Sequence, residues 1–126
     1  MIDFSKGGAF DLKKVPNNTM VPDVQSLLVN GESIVGVYQS LRDQVVFTNK
    51  RVITVDVKGI SGKRKEYFSM PYSKIQYFGI QTAGLVELIP DTELKLCFSN
   101  GMTADFEFHG SSDILEIGKL ISAYIL

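Results

Sequence analysis

The feature that most constrains this chain is a pair of alternating segments that meet at Asn100-Gly101. Apolar residues occupy every second position on both sides, at Leu94, Leu96 and Phe98 and then at Met102, Ala104, Phe106 and Phe108. Strict alternation is typical of a β-strand with one buried face. A two-residue turn would put the two apolar sets on opposite faces, whereas a three-residue loop at 99–101 pairs Phe98 with Met102. We therefore predict a three-residue hairpin loop with Gly101 in its left-handed position.

The middle of the chain contains further short segments of β-type sequence. They cover residues 34–41, 45–48, 52–57, 64–70 and 75–82. Asn49-Lys50 is predicted to form a tight turn, because asparagine tolerates a positive φ. That turn would pair Val46 with Ile53 and Phe47 with Val52. Apolar pairs on both faces indicate that part of the outer face of this hairpin is covered.

A helix is predicted at the C-terminal end, over residues 112–126. Ser111-Ser112-Asp113 supplies residues suited to an N-terminal cap. An apolar stripe at i, i+3 and i+4 spacing follows, formed by Ile114, Ile117, Leu120, Ile121, Tyr124 and Ile125. About seven antiparallel strands and one capping helix predict a mainly β (α+β) fold, either a small barrel or an orthogonal sandwich.

The first 31 residues differ from the strand-rich remainder. Glycine and proline interrupt any long period within residues 1–21, which we interpret as an arm that packs locally, with room for one short helix. A short helix is predicted from Pro22, which suits a first helical position, to Val29. We expect one domain, composed of an N-terminal arm and short helix at 1–31 and a barrel at 32–126.

Composition limits the classes of function. The 126 residues fit a single domain, and 13 basic against 14 acidic residues give a net charge of -1. No global basic field is therefore available to bind nucleic acid. Cys97 stands alone and cannot form an internal disulfide, and no apolar run approaches the roughly 20 residues of a spanning helix. The first residues lack a signal-peptide pattern, so we expect a reduced, cytoplasmic protein.

Short motifs at ordered spacings run through residues 26–125. They are Arg42-Asp43, Val46-Phe47-Thr48-Asn49-Lys50-Arg51, Asp56, Gly59, Gly62-Lys63, Pro71-Tyr72, Ile75, Thr82-Ala83-Gly84 and Glu93-Leu94. As a set they resemble the bacterial pleckstrin-homology (PH) domain family. The resemblance implies a PH-like barrel of seven strands closed at one end by the C-terminal helix. It also implies a non-enzymatic module whose copies assemble into ring-shaped homo-oligomers, often pentameric.

The first hairpin turn departs from the eukaryotic PH pattern. Those relatives use basic residues around this turn to hold phosphoinositides, but here it carries only Arg42 beside Asp43. Turn chemistry explains both residues, since Asp43 can accept backbone N–H bonds and Arg42 can pair across the turn. We interpret Arg42, Asp43, Asn49 and Gly101 as structural turn residues.

A basic cluster in the following loop is a candidate anionic-ligand site. It consists of Lys58, Lys63, Arg64 and Lys65 around a Gly-Ile-Ser-Gly segment. Lysine, arginine and backbone N–H groups can hold phosphate oxygens, and in a PH-like barrel this loop lies at the ligand-binding end. The alternative is a solvated hairpin loop. A membrane surface would be bound weakly by one copy and more strongly by a ring through avidity.

Nothing in the sequence predicts catalysis, a cofactor or a metal site. His109 is the single histidine, and no serine and acid are spaced to converge on it, so we expect a residue at the helix entry. Cys97 alternates with the apolar positions of its strand, which favours a small packed residue over a reactive thiol.

The segment 85–89 is a candidate interface between copies or with a protein partner. Four large apolar residues, Leu85, Val86, Leu88 and Ile89, lie where a connection is expected. Contiguous exposed apolar residues mark protein–protein interfaces. The alternative is that the segment extends a strand and fills the core. Exposed edge strands would add to an interface, because an open ladder can pair with a neighbour.

Overall fold

A computed structural model describes residues 8–82, 91–109 and 114–126, with side chains from residue 11 onward. The strands are β1 (Gly8–Val15), β2 (Ile34–Ser40), β3 (Asp43–Thr48), β4 (Arg51–Lys58), β5 (Arg64–Pro71), β6 (Ile75–Gln81), β7 (Asp91–Phe98) and β8 (Thr103–His109). The helices are α1 (Pro22–Leu27) and α2 (Ile114–Ile125), with single 3₁₀ turns at Asn17–Thr19 and Tyr72–Lys74. The strands form one sheet in the order β5-β4-β3-β2-β1-β8-β7-β6. The predicted mainly β fold with a C-terminal helix is confirmed, and its proposed cap at 111–113 lies outside the described residues.

Both predicted hairpin registers are confirmed. β7 and β8 pair Leu94 with Phe106 and Leu96 with Ala104, and the Phe98 N–H donates to the Met102 carbonyl at 2.9 Å. Gly101 has a φ of 87°, as a three-residue loop requires. In the other hairpin, β3 and β4 pair Val46 with Ile53 and Phe47 with Val52.

The interpretation of residues 1–21 as a locally packed arm is corrected at residues 8–15, where the chain forms strand β1 of the sheet. β1 runs parallel to β8 around Gly8 and Ala9, then antiparallel to β2 from Lys13 to Val15. Within the described residues, the expected seven antiparallel strands therefore become eight, and one pair is parallel. β1 changes partners at an irregularity that contains Asp11, whose φ is 55°. This strand joins the two halves of the sheet.

The inner face of the curled sheet holds the main core. Phe47 lies among three aromatic rings, with centroid distances of 5.7 Å to Tyr38, 6.3 Å to Phe106 and 6.2 Å to Phe108. Leu12 of β1 is fully buried in the same cluster. α2 packs on β6, and Gly118 permits the close approach, because a Cβ there would lie 2.5 Å from Ile80 Cδ1.

The outer face of the first hairpins is also covered, as the sequence predicted. Val46, Ile53 and Val55 are fully buried there, together with Val24 of α1. The side chains of Val21 and Leu28, on either side of α1, pack on the same cluster. Burial on both faces explains why apolar side chains occur on both faces of β3 and β4 instead of alternating with exposed polar ones.

A buried network of ion pairs and hydrogen bonds connects the segment before β2 to the β3–β4 turn. Arg51 donates from Nε to Glu32 Oε2 and from Nη2 to Glu32 Oε1, both at 2.9 Å, and the Glu32 side chain is fully buried. Asn49 does not have the positive φ predicted for it. Its side-chain amide instead accepts from the Ser33 N–H at 2.9 Å and donates to the Gly31 carbonyl at 2.9 Å.

Candidate functional site

One end of the barrel is formed by two neighbouring connections, the β2–β3 turn at residues 41–42 and the loop at 58–65. We call this end the basic tip. Arg42 joins the two connections, donating from Nη1 to the Gly59 carbonyl at 2.7 Å and from Nη2 to the Val57 carbonyl at 3.4 Å. Asp43 Oδ1 accepts from the Val57 N–H at 2.8 Å. These partners lie in β4 and its following loop, rather than within the β2–β3 turn as the sequence suggested.

The four cations of the loop do not form one cluster. Lys58 Nζ lies 3.6 Å from Asp56 Oδ2 and 3.8 Å from Glu66 Oε1, so its charge is largely neutralised. The strand register pairs Lys58 with Arg64 but Val57 with Lys65. Because side chains alternate along a strand, Lys65 points to the opposite face of the sheet. Two exposed cations, Lys63 and Arg64, remain, and neither forms an ion pair with a described residue.

Exposed apolar side chains lie beside these cations. Leu41 is 86% exposed and has a φ of 54°, a left-handed conformation that is rare for a bulky residue. Ile60 is fully exposed between Gly59 and Gly62, whose φ values of 77° and 68° shape the loop. Sequence reasoning missed both residues, although an isoleucine within a Gly/Ser loop was a visible signal. The basic tip therefore combines apolar and cationic groups at one surface.

Two buried carboxyl groups lie beneath the basic tip. Asp43 and Asp56 are 4% and 5% exposed. Burial raises the pKa of Asp56, the neighbouring Asp43 charge raises it further, and Lys58 opposes both. Asp56 Oδ1 and the Thr54 hydroxyl have no hydrogen-bond partner among the described residues. Lys58 is therefore engaged by Asp56 and Glu66 and is a weaker candidate for contact with an external anion.

The candidate interface residues Leu85, Val86, Leu88 and Ile89 lie outside the described residues. The strand before them, β6, is an edge of the sheet. Its sequence, IQYFGIQ, has no charge and no proline, and Tyr77 and Gly79 are among its exposed residues. The other edge, β5, carries Arg64, Lys65 and Glu66 and ends at Pro71. Charges and proline protect an edge from pairing with another chain, so β6 is the less protected edge.

His109 and Cys97 lie on β8 and β7, outside the two connections that form the basic tip. His109 ends β8, and its Nδ1 lies 3.6 Å from Asp11 Oδ1 and 3.8 Å from Asp91 Oδ1. Cys97 is 5% exposed and lies opposite Tyr77 in the β6–β7 ladder. Within residues 8–82, 91–109 and 114–126, no group of three His, Cys, Asp or Glu side chains is placed to hold a metal ion.

Of the helices that the structure describes, neither is long and apolar enough to cross a membrane.

A curled antiparallel sheet closed by a C-terminal helix is the architecture of PH-like domains, and solved structures support that assignment. A DUF1696 family protein with a pleckstrin-homology domain from Shewanella loihica PV-4 superposes with a TM-score of 0.71 at 31% identity, over 93% of this chain and 99% of its own. A pleckstrin homology domain from Shewanella amazonensis SB2B superposes with a TM-score of 0.63 at 34% identity, over 89% and 90%. The PH-like fold predicted from the motifs is confirmed.

The sequence model of the bacterial PH domain family matches residues 3–125, and the chain belongs to this family. The match begins before β1, in agreement with that strand being part of the domain. The uncharacterised protein YjqA of Bacillus subtilis strain 168 is 36% identical over 103 residues, which span 80% of this chain and 81% of YjqA. The chain is thus a bacterial PH-like domain whose role is unknown.

Proposed function

We propose that this protein is a non-enzymatic binding module whose copies assemble head to tail into a ring through their barrel edges and the 85–89 segment. The observation that supports it is the uncharged edge strand β6, which is separated in sequence by only three residues from that apolar segment. A head-to-tail contact joins two different surfaces, and the two edges of the sheet differ, because β6 is uncharged whereas β5 carries charges and a proline. Such contacts close into a ring when the rotation between copies permits it.

Light scattering after size exclusion, over a range of concentrations, tests this assembly. The expected wild-type mass is a stable multiple of 14.0 kDa. Gly79→Lys adds a charge to β6 at a position where a Cβ meets no atom within 4 Å, so the barrel itself should tolerate it. We expect this variant to shift towards the monomer mass, because a lysine on an edge strand opposes pairing.

Ala123→Lys, on the exposed side of α2, is the matched control and should keep the wild-type mass. Leu88→Asp and Ile89→Asp test the apolar segment in the same way. A wild-type monomer at all concentrations would exclude assembly. Wild-type mass in all three interface variants would exclude this interface.

A second candidate function is binding of an anionic membrane surface through the basic tip. The specific observation is that exposed Leu41 and Ile60 flank exposed Lys63 and Arg64. Apolar side chains can enter the headgroup region while neighbouring cations contact anionic lipids. Each cation near such a leaflet contributes about 1 kcal/mol, so one copy binds weakly and a ring binds through avidity.

Liposome co-sedimentation with anionic and neutral vesicles tests this candidate. Loss of Lys63 or Arg64 should reduce partitioning to anionic vesicles by about fivefold per charge. Leu41→Asn, which suits a left-handed φ, should reduce it as well without straining the turn. Lys119→Ala, at an exposed residue of α2, also removes one positive charge and is the control for net charge. Equal pelleting with anionic and neutral lipids would exclude this function.

A further inference from the structure

A groove of about 360 Å³ lies between the second half of β5 and the β7–β8 hairpin loop; we call it the β5 groove. Apolar side chains form most of its lining, namely Phe68, Met70, Phe98, Met102 and Ala104. Phe68 and Met102 are 40% and 65% exposed. Pro71, at one end of the groove, pairs with Arg51 beside the β3–β4 turn. The β5 groove is therefore at the opposite end of the sheet from the basic tip.

The polar part of the lining favours one negative charge. Lys74 is the single ionisable residue among those that line the groove, and it forms no ion pair with a described residue. The amide of Asn100 is partly occupied, since its Oδ1 accepts from the Met102 N–H at 3.0 Å. An apolar ligand with one anionic group would therefore contact the apolar lining and pair its charge with Lys74.

The volume and lining of the β5 groove favour a flexible alkyl chain as its ligand over a peptide added as a further β-strand. Its volume is at the lower end of the range for small-molecule sites, and two methionines give adaptable walls. Pro71 ends β5 at this position and has no N–H to extend a backbone ladder. We infer that the β5 groove binds a linear long-chain carboxylate, with the alkyl chain against Phe68, Met70 and Met102 and the carboxylate at Lys74.

Isothermal titration with alkyl carboxylates, below their micellar concentrations, tests this inference. From octanoate to dodecanoate, affinity should rise about fourfold per methylene, which is the value expected for a chain that becomes buried. Dodecanoate should bind more tightly than dodecyltrimethylammonium, because the lining has a cation and no acid. Affinity that is independent of chain length, or equal for the two headgroups, would overturn the inference.

Two variants locate the site. Lys74→Gln should weaken dodecanoate by up to about fivefold, the value expected for an ion pair at an exposed lysine, and leave dodecanol unchanged. Met102→Asp should abolish dodecanoate binding, whereas Leu115→Asp, at a residue of similar exposure (66%) on α2, should not. Unchanged binding in both groove variants would contradict the assignment.

The inference goes beyond the proposed assembly, and the same samples separate the two. Loss of dodecanoate binding at unchanged molar mass would support the β5 groove regardless of how copies associate. If Met102→Asp also lowers the molar mass, the ratio of dodecanoate to dodecanol affinity in Lys74→Gln decides, because that variant removes the positive charge and keeps a polar side chain. An unchanged ratio would overturn the site even if assembly is correct.

Discussion

Replacing Glu32 with alanine is expected to lower the free energy of unfolding by about 3–5 kcal/mol, the cost of leaving one buried charge unpaired. The carboxylate accepts two bonds from Arg51, one at 2.6 Å from the Thr48 hydroxyl and one at 3.1 Å from the Val29 N–H. Arg51 is only 18% exposed and would remain in place without its counter-ion. Urea unfolding followed by far-ultraviolet circular dichroism measures the loss.

Two further variants test whether the unpaired Arg51 charge causes the loss of stability. Glu66→Ala removes a 49%-exposed carboxylate that pairs with Lys58 at 3.8 Å, and should cost no more than about 1 kcal/mol. Glu32→Ala combined with Arg51→Met removes both charges and should recover part of the loss. A cost below about 1 kcal/mol for Glu32→Ala alone would show that the network does not stabilise the barrel.

The pKa of Glu32 determines how the stability of the protein should depend on pH. Burial raises the pKa of Glu32, but the hydrogen bonds from Arg51, Thr48 and the Val29 N–H outweigh burial and hold it below the ordinary value of 4.5. A lowered folded-state pKa contributes stability that is present above the unfolded pKa and lost as pH falls through the folded value. Wild type should therefore lose stability more steeply than Glu32→Gln below pH 4.5. If the free energy of unfolding fell equally steeply with pH in the wild type and in Glu32→Gln, the lowered pKa of Glu32 would be contradicted.

The sequence predicted those elements whose information is local. The 99–101 loop follows from alternation and a single glycine, and the two-sided burial of β3 and β4 follows from their apolar runs. Asn49 was given the wrong conformation because its partners, Ser33 and Gly31, are distant in sequence. The basic residues at 58–65 looked like one site because sequence proximity hides the alternation that separates Lys65 from Arg64.

Strand β1 could not be predicted from its pattern for a physical reason. An irregularity at Asp11 breaks the alternation, and each half of the strand pairs with a different neighbour. β1 is therefore specified as a strand by its pairing with β2 and β8 rather than by its own sequence pattern. The exposure of Leu41 was missed because it depends on where the surrounding strands end, whereas Ile60 could have been identified from its place between glycines and serine.

Leu12→Ala tests whether β1 belongs to its own barrel. Leu12 is fully buried in the main core, so the truncation should leave a cavity and cost about 2–5 kcal/mol. Leu115→Ala is the matched control, since Leu115 is 66% exposed on α2 and the same change there should fall within about 0.5 kcal/mol of wild type. Urea unfolding of the two variants side by side measures the difference.

The dependence of that cost on protein concentration separates two ways of inserting β1. A strand that completes its own sheet stabilises each copy separately, so the loss in Leu12→Ala should be the same at every concentration. If β1 came from a neighbouring copy, association would stabilise the wild type but not Leu12→Ala. The difference in free energy of unfolding between them would then increase with protein concentration. A cost as small as that of Leu115→Ala, or one that changes with concentration, would contradict the placement of β1 between β2 and β8 of the same chain.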